Sequence, residues 1–96
     1  MTNKKKNVCM IMSVYKGDKL LYLKDAVESI LQQSYVNFSF YIQCDGPVSL
    51  ECEKYLDNIL DKRVVVRKRK KNKGLAYSLN ELLEIVINKN YEFIAR

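Results

Sequence analysis

The chain has 96 residues, 48% hydrophobic and 29% charged, with a formal net charge of +6 and neither histidine nor tryptophan. Such a length fits one domain or a piece of one, globular rather than disordered and with a modest core. Lack of histidine removes the usual general base and excludes most zinc sites and Ser-His-Asp schemes.

Residues 1–7 are polar and read as a flexible lead-in to a partial domain over 8–96. Lys4, Lys5 and Lys6 precede an apolar run, but it is too short for a signal peptide and ends in Ser13, Tyr15 and Lys16 without a small-residue cleavage site. Nothing approaches the ~20 apolar residues of a membrane span. A cytoplasmic chain with no transmembrane segment is expected.

Val8–Met12 is an unbroken apolar run closed by Ser13, Val14, Tyr15, Lys16, Gly17 and Asp18. It reads as a strand buried on both faces, with Gly17 in the turn and Asp18 as N-cap of a helix. That helix is marked by Leu20, Leu23, Val27, Ile30 and Leu31 at helical spacing and ends near Gln33. Phe38–Cys44, aromatic and β-branched, is a second strand closed by Asp45-Gly46-Pro47. Ser49 is placed to cap a second helix, with Glu51 and Glu53 at its positive end and an inward stripe of Cys52, Tyr55, Leu56, Ile59 and Leu60.

Val64, Val65 and Val66 make a third strand. Leu75, Leu79, Leu82, Leu83 and Val86 mark a third helix, and Tyr91–Ala95 a fourth strand. The order β-α-β-α-β-α-β calls for an α/β three-layer sandwich, a Rossmann-like parallel sheet with right-handed crossovers. The three cysteines (Cys9, Cys44, Cys52) form no C-x-x-C pair and are expected as buried, reduced thiols.

Ligands of such sheets bind beyond the carboxyl ends of the strands. The three glycines, Gly17, Gly46 and Gly74, all lie between a strand and the next helix, which points to the same edge. Tyr15 there suits packing on a base or sugar, with the backbone of Ser13 and Val14 free to bond its edge; taken alone, a half-buried surface tyrosine is the plainer alternative. Asp45, at the equivalent place on the second strand, can accept from an imide N–H or a ribose hydroxyl; a turn-forming aspartate before glycine is the plainer alternative. Asp18 divides in the same way between cap and ligand.

Arg67, Lys68, Arg69, Lys70, Lys71 and Lys73 equal the whole net charge of +6, so the basicity is one patch. Most of these side chains read as a solvated run. Lys73 stands apart, because with Gly74 it abuts a helix N-terminus, a natural anion site. The run lacks interleaved aromatics and any helix-turn-helix or RNP pattern, so nucleic acid is not expected as a partner.

The segments SVYKGD, ESILQQSY, NFSFYIQCDG and DKRVVVRKRKKNKGLAYSLNELLE, in that order, resemble the N-terminal region of family 2 glycosyltransferases. The resemblance implies the nucleotide-sugar-binding half of a GT-A fold, with strand order 3-2-1-4. It matches Ser13, Val14 and Tyr15 to the family's nucleobase loop and Asp45 to a base-binding aspartate. Lys73, Gly74 and Asn80 match its Asn-x-Gly…Asn segment, and Asp18 a polar position bordering the nucleoside. Ser13 stands where the family has proline, Lys16 where it has asparagine, and Cys44 where it has a first aspartate.

The resemblance further implies an intact enzyme that transfers a sugar, from a UDP-sugar or similar donor, to a growing glycan in polysaccharide or lipopolysaccharide synthesis. A divalent metal, Mg or Mn, would be held by an Asp-x-Asp motif. The sequence stops at Arg96, before that motif and before a general base, so no catalytic residue, bound metal or activity is expected of this chain alone. Self-association through the exposed edge at the last strand is expected as well. The open alternatives are a basic nucleic-acid-binding module and a non-catalytic α/β interaction domain.

Overall fold

The computed structural model describes residues 8–33, 38–89, 91 and 93–95. The lead-in over 1–7 and Glu92 of the expected last strand lie outside the described residues. Strand β1 (Val8–Val14) is followed by helix α1 (Leu20–Leu31), β2 (Phe38–Cys44), α2 (Leu50–Asp57), β3 (Val64–Lys68), α3 (Leu75–Val86) and β4 (Phe93–Ala95). The four strands form one sheet in the order β3-β2-β1-β4, every pair parallel.

The even and odd positions of the strands separate the two faces of the sheet, as a period of two requires. Val14 of β1 and Phe38, Phe40, Ile42 and Cys44 of β2 pack with Leu23 and Val27 of α1 and Cys52 and Leu56 of α2. Cys9 and Ile11 of β1 face the other way, onto Leu79, Leu82 and Val86 of α3. Helices α1 and α2 thus cover one face and α3 the other, the three-layer arrangement expected. All three cysteines are free and buried, and burial pushes the Cys9 and Cys44 thiols up to about 11.

Ser49 caps α2 as expected, its Oγ accepting from the Cys52 N–H at 3.3 Å. Two local expectations fail. Asp18 does not cap α1: the N-cap is Lys19, which makes no side-chain cap bond, because the Asp18 carboxylate folds back to accept from the Tyr15 N–H. Leu60 does not belong to the inward stripe of α2. The helix ends at Asp57, where Asn58 caps it, and Leu60 is 94% exposed. Strand β3, in turn, runs past the valines through Arg67 and Lys68.

Candidate functional site

Strands β1, β2 and β3 end level, since Val14 pairs with Cys44 and Cys44 with Lys68. The next residue of each strand, Tyr15, Asp45 and Arg69, therefore leaves the sheet at one height. The ladder continues one step beyond the strands: the Asp45 N–H donates to Val14 O at 2.7 Å and the Arg69 N–H to Cys44 O at 3.1 Å.

Asp45 is 2% exposed and ties the loop after β2 to the loop after β3. Its Oδ1 accepts from the Lys73 N–H at 2.7 Å and from Arg69 Nη1 at 2.5 Å, and its Oδ2 accepts from the Gly74 N–H at 2.9 Å. Asn72 adds a bond from Nδ2 to Asp45 O at 3.2 Å. Gly46, with φ +82°, makes this approach possible, because a Cβ there would lie 2.7 Å from the Asn72 backbone nitrogen. The amides of Lys73 and Gly74, expected to face an external anion, thus hold an anion of the chain itself, placed at the positive end of α3.

Arg69 is the residue that sequence reasoning missed. Beyond Asp45, its Nη1 donates to Ser78 Oγ at 3.0 Å and its Nη2 to Glu81 Oε1 at 2.6 Å. That second bond holds the Glu81 carboxyl below its ordinary value. Two further cations of the run are engaged as well. Arg67 donates to Gln43 Oε1 at 3.1 Å, and Lys68 Nζ pairs with Asp57 Oδ1 at 2.7 Å. The solvated reading therefore fails for Arg69, whose side chain is 13% exposed, whereas Lys68 makes its pair at the surface with its side chain 46% exposed.

The loop after β1 bonds across its own ends and is anchored to α2, where Cys52 Sγ donates to Asp18 O at 3.6 Å. The Asp18 N–H donates to Tyr15 O at 3.1 Å, and the Tyr15 N–H returns a bond to Asp18 Oδ2 at 3.0 Å. The Tyr15 ring stays 48% exposed. Between this turn and the loops after β2 and β3 lies a cleft of about 380 Å³, in the range of small-molecule sites. Ser13, Tyr15 and Asp18 form one wall, and Asp45, Asn72, Gly74 and Leu75 the other.

Five of the expected site residues (Ser13, Tyr15, Asp18, Asp45 and Gly74) thus meet around one cavity. Three do not line it. The Val14 side chain is buried in the core, 1% exposed, and its carbonyl already accepts from the Asp45 N–H. Lys73 gives its amide to Asp45, while its Nζ lies over Tyr77, 4.7 Å from the ring centroid. Asn80 borders a separate surface groove on α3, with Tyr77, Glu81 and Glu84. Asn72 and Leu75 line the cleft without having been singled out, although Asn72-Lys73-Gly74 carries the Asn-x-Gly signal itself.

The carboxylates of the cleft do not suit a metal ion. Asp45 is committed to two amides and a guanidinium, Asp18 accepts from the Tyr15 amide, and no group of three or more metal-ligating side chains exists among the described residues. As a hydrogen-bond acceptor the cleft is better equipped. Asp45 Oδ2 carries one donor among the described residues and keeps acceptor capacity for a second. No helix among the described residues is long and apolar enough to cross a membrane.

Over residues 9–94 the chain matches the family model for glycosyl transferase family 2. It is 31% identical over 84 residues to an uncharacterized glycosyltransferase of Methanocaldococcus jannaschii, the match covering 85% of this chain and 29% of that protein.

Proposed function

The chain belongs to glycosyl transferase family 2, and from that membership we propose that its cleft receives the nucleoside diphosphate of a sugar donor, with UDP as the nucleotide. The carrying observation is that Tyr15 and Asp45 leave neighbouring strands at one height and border the same cavity. Tyr15 offers a ring to the face of the base, and Asp45 Oδ2 an acceptor to a donor on its edge. The whole enzyme, of which this chain corresponds to a part, would transfer the sugar to a growing glycan in polysaccharide or lipopolysaccharide synthesis in the cytoplasm.

The divalent metal implied by the resemblance would need carboxylates other than those of this cleft. Transfer by this chain alone is not proposed. Its role is to bind and orient the nucleotide. The rival reading as a nucleic-acid module is weakened, because Arg67, Lys68 and Arg69 already have partners within the chain. Strand β4 lies at an edge of the sheet, and we propose self-association along it, to be read by sedimentation.

The test is titration of the chain with UDP, followed by NMR. Shifts at Tyr15, Asp45 and Gly74 are expected, and Tyr15→Ala should weaken binding by about fivefold or more, the value of base–aromatic stacking being about 1–3 kcal/mol. Binding that leaves Tyr15 unshifted, or that survives Tyr15→Ala undiminished, refutes the assignment.

A further inference from the structure

Gly17 has no backbone need to be glycine. Positive φ among the glycines is confined to Gly46 and Gly74, so the main chain at Gly17 accommodates an L-residue. What excludes a side chain there is the Tyr15 ring. A Cβ on Gly17 would lie 2.5 Å from Tyr15 Oη and 2.6 Å from its Cε2 and Cζ, about an ångström inside ordinary contact. The ring therefore folds back over the bare Cα of Gly17 instead of extending into solvent. Two bonds fix the turn beneath it, Asp18 N–H to Tyr15 O and Tyr15 N–H to Asp18 Oδ2.

We propose that Gly17 is a positioning residue, a seat that sets where the Tyr15 ring stands at the mouth of the cleft and hence where it meets a nucleobase. The proposal rests on the reading of the cleft as a nucleotide site. Its physical content is a division of effects. The ring is the end of a side chain with two rotatable bonds and is half exposed, so a methyl group at Gly17 is accommodated by swinging the ring away. The backbone of the turn has no reason to move. A glycine that served only to form the turn would behave otherwise, its replacement costing stability whatever residue stood at Tyr15.

Four proteins separate these cases: the unsubstituted chain, Gly17→Ala, Tyr15→Ala and the double variant, each examined by NMR without ligand and by titration with UDP. Gly17→Ala should displace the Tyr15 ring resonances before any nucleotide is added and leave the thermal midpoint unchanged. It should weaken UDP binding about tenfold when Tyr15 is present and less than about twofold when Tyr15 is already alanine, the non-additivity expected of residues in contact. Equal losses in both backgrounds, or an unmoved ring, overturn the proposal. If Gly17→Ala fails to fold, folding of the double variant upholds the clash, and failure of both overturns it. Absence of UDP binding by the unsubstituted chain refutes the nucleotide reading instead, and the ring resonances of the free Gly17→Ala chain then decide the seat by themselves.

Discussion

Arg69 Nη1 lies 2.5 Å from Asp45 Oδ1, with only 13% and 3% of the two side chains exposed. A pair so withdrawn from solvent costs desolvation on both sides, and its net worth over an apolar pair is small. Losing one partner is a different matter, because the survivor remains buried and charged. The bond also decides geometry, since the same carboxylate holds the amides that begin α3.

Two neighbours in the basic run should therefore respond in opposite ways. Arg69→Ala leaves Asp45 without its guanidinium and should destabilise the chain by about 3 kcal/mol in urea melts. Lys70→Ala removes an exposed charge and should stay within about 0.5 kcal/mol. Equal effects would show that the run acts as one undifferentiated surface.

Gly46 and Gly74 both carry positive φ, at 82° and 96°, yet their surroundings differ. A Cβ on Gly74 meets nothing within 4 Å, so Gly74→Ala should cost only its backbone strain, about 1–3 kcal/mol. Gly46→Ala adds a collision with the Asn72 backbone and should cost more. It should also shift the Asn72, Lys73 and Gly74 amide resonances, which Gly74→Ala should do only locally. Melts and amide spectra of the two variants check both statements.

Acid should weaken the junction before β3. Hydrogen bonds from the Arg63 side chain, then from its backbone, hold the Asp61 carboxyl at about 2, below its ordinary 3.8. A depressed value in the folded state means that protons bind the unfolded chain first. The stabilisation is thus complete above 3.8 and is lost as pH falls towards about 2. Urea midpoints of the natural chain and Asp61→Asn should differ near neutrality and converge at the acid end of that window. A gap independent of pH would remove Asp61 as its source.

Fold and site were legible to different depths. The apolar run of β1, the valines of β3 and the placement of each glycine between a strand and the next helix carry the element order, because they are local signals of period and turn. Tyr15 and Asp45 could be found as the first residues past their strands. Arg69 occupies the same place after β3, but the valines mark only part of that strand. Its extension through Lys68 depends on pairing with β2. Its partners are remote, 24 residues away at Asp45 and 12 at Glu81, so composition alone makes Arg69 one cation among six. At Asp18 two local uses compete, the first turn of α1 and the Tyr15 amide. Both lie within reach of one carboxylate, and the residue order does not rank them. The helical period likewise carries past Asp57 to Leu60, although the chain has left the helix by then.

The two walls of the cleft are built on unlike principles, and this bears on how the molecule can change. One wall is riveted: Asp45, Gly46, Asn72, Lys73 and Gly74 are held to each other through partly buried bonds and a backbone contact that admits no added atom. The other is a turn of four residues bonded between its own ends, Tyr15 and Asp18, and anchored at Asp18 O by the Cys52 thiol of α2. Exchanges at Lys16 or Tyr15 alter the shape and charge offered to a ligand without loosening any tie to the core. Adaptation to a new ligand therefore has a costly route through the riveted wall and an inexpensive one through the Tyr15–Asp18 turn, so that evolvability at this cleft is concentrated in a single turn.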